Sequence, residues 1–309
     1  MNDYNLVACC STLPERVRNG GLYRSVRSML DQTFPPDHIF IHYPRYSKRL
    51  HQDYPAVPSP LKHMRNVTVV RSEDFGPLTK IYPVTDQPRV GPHTAVALFD
   101  DDRIYPKDWL KPVYEEFQRH GRTAAVGRNG ILPVKGMSLK HRFNTSPKPL
   151  RVSVLGASWV SIYPRFALPA DTRTCIDSLH SLPKAAYTND DVVLGVWVHK
   201  SRVRAYVMRT TDAEFKEWQR VNDEDDQLVH QISVNSQRGK LRMLTHDASA
   251  LTTPAQKRRQ FRLVTTLIAQ NKLPCPVWCV VSVSGIVALL MLVILLPVVY
   301  ATKRKRGSP

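Results

Sequence analysis

The chain is expected to be an α/β protein, a mostly parallel sheet with helices on both faces, followed by a C-terminal transmembrane helix. Three observations predict this. Short apolar runs alternate with segments of helical periodicity from Leu6 to Val126, and strand, helix, strand in succession favours parallel pairing. The 309 residues are 42% hydrophobic and 23% charged, enough apolar material for a buried core and too much for wholesale disorder. Val277 to Tyr300 is a run of 24 residues without a charge. As a helix it reaches about 36 Å, against a hydrocarbon core of roughly 30 Å.

Leu6 to Cys10 is apolar throughout and reads as the first strand, ending in the polar turn Ser11-Thr12-Leu13-Pro14-Glu15-Arg16. Leu22, Val26, Met29 and Leu30 then recur at the spacing of one helix face. His38 to Tyr43, after Pro35-Pro36, alternates Ile39, Ile41 and Tyr43 as a second strand. Val67 to Val70 is a third and Thr94 to Phe99 a fourth. Pro106 is expected to open a helix on which Trp109, Leu110, Val113, Tyr114 and Phe117 share a face. Thr123 to Val126 follows as a fifth strand. Ligands on such sheets bind beyond the carboxyl ends of the strands.

The formal charge is +18, and nine Lys and Arg with no acid from Lys257 onward carry half of it. The remaining moderate excess suits an anionic small ligand or a membrane surface, and no specific nucleic-acid recognition is expected. Five cysteines, with Cys9 and Cys10 adjacent in a strand, argue for a reducing compartment and against a disulfide framework. Basic residues flank the apolar segment on both sides: Lys257, Arg258, Arg259, Arg262 and Lys272 before it, Lys303 to Arg306 after it. The positive-inside comparison is therefore nearly balanced. MNDYNLVACC has neither a basic region nor a cleavage pattern, so the expected arrangement is a single-pass, tail-anchored chain with its large domain in the cytosol. Residues 257–272 read either as a basic amphipathic helix on anionic lipid or as a solvated linker. The expected layout is a domain over 1–250, a basic linker over 251–276, the span over 277–300 and a basic tail over 301–309.

The fourth strand runs directly into Asp100-Asp101-Asp102. Three carboxylates at a strand end repel one another unless cations share the load, and a hard divalent metal bound to a diphosphate is the natural partner. The plainer reading is a solvated turn or a cap before Pro106. Asp190-Asp191 opens the apolar stretch VVLGVWVHK, either as simple helix capping or as a general base with an acceptor-orienting partner. Glu73-Asp74-Phe75-Gly76-Pro77-Leu78-Thr79-Lys80 offers an acid for a ribose or base edge, a tight turn and a lysine for phosphate. Asp223-Glu224-Asp225-Asp226 reads as a helix's first turn rather than a metal site.

The series CCSTLPER, LDQTFPPDHIFIHYP, EDFGPLTK, ALFDDDRIYPKDWL, VGRNG, VLGASWVSIYPR and TNDDVVLGVWV resembles GT-A glycosyltransferases of the family-2-like kind. It is similar to the small GT-A domains in glycosyltransferases of large DNA viruses that infect algae. The resemblance implies a Rossmann-like GT-A fold over roughly Leu6 to Met208. It also implies transfer of a sugar from a nucleotide-diphosphate donor, most often a UDP-sugar, to a glycan, lipid-linked or protein acceptor with Mn²⁺ or Mg²⁺, inversion being the expected stereochemistry. Carried over by position, Asp102 and Asp100 hold the metal, and Asp100 also meets the ribose beside Asp101. Thr12, Pro14, Glu15 and Arg16 border the nucleoside; Asp74 meets the base, and Lys80 the base or diphosphate. Gly156 and Trp159 line the acceptor and donor sugar, and Asp190 or Asp191 is the catalytic base. The resemblance also implies a late histidine on the metal, for which His199, His230 and His246 are the candidates, each otherwise a structural histidine. The competing expectations are another metal-dependent enzyme, such as a phosphohydrolase or nuclease, and a non-catalytic membrane adaptor or nucleic-acid binder on the same fold.

Overall fold

Strand β1, Leu6–Ser11, is apolar on both faces, so it must lie at the centre of a sheet covered on both sides. The computed structural model describes residues 3–131, 142–143, 148–152, 154–172 and 190–222, all within a unit spanning Met1–Pro276. The linker expected over 251–276, the apolar segment Val277–Tyr300, His230, His246 and the acidic run 223–226 lie outside the described residues. Among the described residues no helix is long and apolar enough to cross a membrane.

The main sheet adds β2 (His38–Pro44), β3 (Val67–Ser72), β4 (Ala95–Leu98), β5 (Ala125–Gly127), β6 (Leu150–Val152), β7 (Ser161–Pro164) and β8 (Ala205–Val207). Their order is β6-β8-β5-β7-β4-β1-β2-β3. β1 pairs in parallel with β2 and β4, β2 with β3, and β8 with β5. β7 lies antiparallel between β4 and β5, and β6 antiparallel to β8. Six strands therefore run one way and two the other. The expected mostly parallel sheet is present, with an antiparallel strand inside it that periodicity did not foretell. That strand, SIYP, is too short to show an alternation, and all four of its residues are buried.

Helices α1 (Pro14–Arg18), α2 (Gly21–Leu30), α3 (Leu110–Arg119) and α4 (Asp190–Lys200) follow in order, and residues 212–222 are helical as well. Leu22, Val26 and Met29 of α2 pack with Val113 and Phe117 of α3 against Leu6, Ala8 and Cys10. The opposite face of β1, Val7 and Cys9, meets Leu194, Trp197 and Val198 of α4 and the 3-10 turns Gly76–Lys80 and Tyr82–Asp86. Cys9 and Cys10 are fully buried free thiols.

α3 begins four residues after Pro106, later than expected. The carboxamide of Gln32 decides where: its Oε1 accepts the N–H groups of Trp109 (3.0 Å) and Leu110 (2.8 Å), while its Nε2 donates to the Pro106 carbonyl (2.7 Å). Gln32 is buried, and its removal would leave the Leu110 N–H without its partner, while Trp109 keeps the Pro106 carbonyl at 2.9 Å. Gln32→Ala is expected to cost about 2 kcal/mol of stability, measured by chemical denaturation, and an unchanged midpoint would show that α3 caps itself.

Candidate active site

β1, β2, β3 and β4 all deliver their carboxyl ends to one edge of the sheet, and the loops beyond them close a cavity of about 230 Å³. Immediately after β4, the backbone of Asp100 is pinned from two sides. Ser25 Oγ on α2 donates to its carbonyl (2.9 Å), as does the Tyr105 hydroxyl (3.2 Å), which also accepts the Asp100 N–H (2.9 Å). The three carboxylates therefore leave a fixed platform.

Each of the three meets a cation of the chain itself. Arg16, set by the first turn of α1, spans two of them: Nη1 pairs with Asp101 and Nη2 with Asp102 Oδ2 at 2.6 Å. Lys80, with only 7% of its side chain exposed, places Nζ 2.7 Å from Asp100 Oδ1 and 2.8 Å from Asp190 Oδ2. Burial opposes the charge on Lys80, but Asp100 and Asp190 outweigh it and hold the ammonium's pKa well above its ordinary value. Burial likewise opposes ionisation of Asp100, and Lys80 outweighs it, so that carboxyl sits below the usual range. For Asp101 burial prevails over Arg16, and its pKa is raised.

The first turn of α4 brings Asp190 and Asp191 to the same cavity. Asp191 Oδ1 accepts the N–H of Ala157 at 3.0 Å. Burial, reinforced by the neighbouring Asp190 charge, pushes Asp191 up to about 7. The two acids thus have different surroundings, one held by a buried ammonium and the other by a backbone amide.

Asp74, after β3, is buried and shapes the floor of the cavity. Its Oδ2 accepts the N–H of Lys48 and its Oδ1 that of Gly76, both at 2.7 Å. Gly76 has φ +63°, a left-handed conformation that glycine adopts without strain. On the other side of Asp74 a second hollow of about 450 Å³ opens, walled in part by Arg45, Lys48 and Arg71.

Of the residues singled out from the sequence, the cavity wall brings together Thr12, Arg16, Asp74, Lys80, Asp100, Asp101, Asp102, Asp190 and Asp191. Pro14 and Glu15 stand behind it on α1, where Glu15 Oε1 accepts from Gln52 Nε2 (2.5 Å). Trp159 is not brought to the cavity. Its ring is buried in an aromatic cluster with Trp218 (4.4 Å between centroids), Phe215 (5.0 Å) and Trp109 (6.3 Å). Gly156 packs where a Cβ would come within 2.4 Å of Asn129 Oδ1, so close packing requires it there. His199 sits in the last turn of α4, at the end opposite Asp190.

Sequence reasoning missed Arg49 and Tyr54, which also line the cavity. They lie in the irregular stretch after β2, where the short ribbon of Tyr46–Ser47 with Gln52–Asp53 folds the chain back over the site. Tyr54 then donates its hydroxyl proton to the Thr12 carbonyl at 2.7 Å. No periodic signal announces a two-residue ribbon.

Among the described residues no group of three or more His, Cys, Asp or Glu side chains is arranged to hold a metal ion. The donor set nevertheless suits a hard divalent cation. The cavity wall carries six aspartates against Arg16, Arg49 and Lys80, and Asp101 Oδ2 is buried without a hydrogen bond among the described residues. A polyanionic ligand entering so acidic a wall needs a further positive charge. Asp100 and Asp102, the two ligands expected from the sequence, are paired here with Lys80 and Arg16.

No family model matches the sequence, and no curated protein matches it. Among solved structures, the chain is similar to S. aureus TarS with a TM-score of 0.42 and 13% identity. That match covers 72% of this chain and 39% of TarS, so the chain spans well under half of TarS's length. It is also similar to the mannosyltransferase PcManGT from Pyrobaculum calidifontis in complex with GDP-Man and Mn²⁺, with a TM-score of 0.40 and 12% identity over 88% of this chain and 72% of that one.

Proposed function

We propose that this chain is a metal-dependent glycosyltransferase of the GT-A kind, moving a sugar from a nucleotide-diphosphate donor to a glycan, lipid-linked or protein acceptor. The observation that carries the reading is the Lys80 bridge. It joins the Asp100–Asp102 platform to the Asp190–Asp191 pair, 90 residues away in sequence, inside one cavity at the carboxyl edge of the sheet. One cluster is suited to a donor's diphosphate, the other to an acceptor's hydroxyl, and the motifs they belong to are those the sequence shares with GT-A enzymes.

Asp102 and Asp100 would hold Mn²⁺ or Mg²⁺, which when bound neutralises the leaving diphosphate. Arg16 keeps Asp101 and Asp102 in position and adds positive charge at the same place. Thr12 and Asp74 border the nucleoside, with Arg49 and Tyr54 closing over it. Asp191 is the general base that removes the acceptor hydroxyl's proton as the oxygen attacks the anomeric carbon, and the outcome is inversion. Its raised pKa gives it the proton affinity the task needs, while Asp190 holds Lys80 between the two halves of the site. UDP-sugars are the first donors to test, GDP- and TDP-sugars the next. Residues 277–300 would anchor the chain in a membrane, with the catalytic unit in the cytosol.

The test is release of nucleoside diphosphate by the full chain, in lipid or detergent, from a panel of nucleotide sugars with Mn²⁺, Mg²⁺ or chelator. Metal-dependent release from one donor supports the reading and identifies the sugar. A folded chain that binds and cleaves none of them would favour an adaptor. In the same assay Asp102→Asn is expected to lower metal-dependent release at least a hundredfold, with the melting temperature held within a few degrees. Wild-type rates in that variant would remove Asp102 from the metal site.

A further inference from the structure

The platform that ends in Asp102 is held on its far side by one side chain from the end of the described chain. Asn222, the last described residue of the helical stretch 212–222, is buried. Its Oδ1 accepts the N–H of Ile104 at 3.0 Å, and its Nδ2 donates to the carbonyl of the same residue at 2.9 Å. The second amide hydrogen goes to the Trp218 carbonyl at 2.9 Å, in its own helix. One carboxamide thereby satisfies both backbone groups of the residue two places after Asp102, which no β-ladder pairs.

The helix carrying Asn222 is itself fixed against the loop. Trp218 stacks on Trp109, at 6.3 Å between centroids, and lies 4.4 Å from Trp159. Arg103, next to Asp102, lies over the Trp218 ring at 5.6 Å. A further tie is remote from Asp102: Arg128, stacked on Trp109 at 3.8 Å, reaches Glu214 Oε1 at 3.3 Å. Together with Ser25 and Tyr105, which pin Asp100, Asn222 brackets the acidic run from both ends.

We infer that Asn222 is a positioning residue for the metal and diphosphate site: it holds the backbone beyond Asp102 so that the carboxylate faces the cavity beside Arg16. The inference rests on the glycosyltransferase reading for the identity of the ligand, but not for the geometry. Asn is suited to the task because it alone among short side chains offers a donor and an acceptor from one planar group. Asp keeps the acceptor for the Ile104 N–H and loses the donor; Leu, of similar volume, loses both.

The experiment compares full-length wild type, Asn222→Leu, Asn222→Asp and Glu214→Gln, the last loosening the same helix away from Asp102. Two quantities are read: amide hydrogen exchange across residues 100–105, and Mn²⁺ binding followed by the loss of the free-ion paramagnetic signal. Asn222→Leu is expected to speed exchange in this segment at least tenfold and to weaken Mn²⁺ binding about tenfold, with excess Mn²⁺ restoring most of the turnover. Asn222→Asp should fall between it and wild type, and Glu214→Gln should stay within twofold of wild type on both. Unchanged exchange in Asn222→Leu overturns the inference, as does faster exchange with unchanged Mn²⁺ affinity, or an equal effect in Glu214→Gln. If Asn222→Leu does not fold, Asn222→Asp decides by the same two readings. A wild-type chain that binds no Mn²⁺ instead overturns the metal reading, and the exchange data still decide whether Asn222 holds the loop.

Discussion

Replacing Asp191 by asparagine is expected to abolish transfer while making the fold more stable. The amide keeps an oxygen to accept the Ala157 N–H that Asp191 Oδ1 now takes at 3.0 Å, so the local geometry survives. What disappears is the basic oxygen, and loss of a general base lowers turnover by about 10²–10⁴-fold. Asp191 titrates at about 7 because burial, and then the Asp190 charge, disfavour its ionised form. A carboxyl with a raised folded pKa destabilises the fold above that pKa and has no effect below its unfolded value near 4. Between those limits the native state holds the proton that the unfolded chain has already released, so stability falls as pH rises. Asp191→Asn should therefore gain about 4 kcal/mol at pH 8 and nothing at pH 4. In wild type, the transfer rate should fall about tenfold per pH unit on the acid side of 7. Denaturation of both proteins at the two pH values, with a pH-rate profile, checks each part. An active Asp191→Asn chain would move the base to Asp190 or elsewhere.

The second large effect belongs to Lys80. Its ammonium is the shared counter-charge of Asp100 and Asp190, and it is almost entirely buried. Lys80→Met keeps the stem's volume and leaves two partly buried carboxylates facing each other without it. Removing one partner of a buried ion pair costs about 3–5 kcal/mol. Asp100 and Asp190 retain 28% and 15% exposure, so water offsets part of this and about 3 kcal/mol is expected. The loss should shrink on acidification, as Asp100, no longer held ionised by Lys80, takes up a proton and the repulsion goes. Turnover should drop more than a hundredfold even with saturating metal, because both halves of the site lose their common anchor. A Lys80→Met chain with wild-type stability at pH 7.5 would mean that the bridge contributes nothing to the fold.

The difference between Lys80 and Trp159 shows what could be read without coordinates. EDFGPLTK marked Lys80 as a phosphate or base ligand, and the structure brings it to the cavity, though with aspartates as its present partners. VLGASWVSIYPR marked Trp159 as a sugar contact, yet its ring packs against Trp218 and Phe215, residues beyond any motif. A motif tells which side chains accompany one another along the chain; it does not tell which way an aromatic ring turns when a later helix arrives to cover it.

What the sequence determined by itself is local and periodic. β1 to β5 and the helix faces of Leu22, Val26, Met29, Val113 and Phe117 follow from spacing, because a strand or helix expresses its burial pattern within a few residues. The acidic run at the end of β4 and the acid pair opening α4 were legible for the same reason. The tertiary structure alone decided the rest. Which cation meets which carboxylate, the antiparallel insertion of β7, the Gln32 cap that starts α3 and the hold of Asn222 on Ile104 all join residues 20 or more positions apart, or strands too short to show a period. Such contacts are chosen by whole-fold packing and by the cost of burying a charge or backbone group unpaired, and neither is written in the spacing of neighbouring residues.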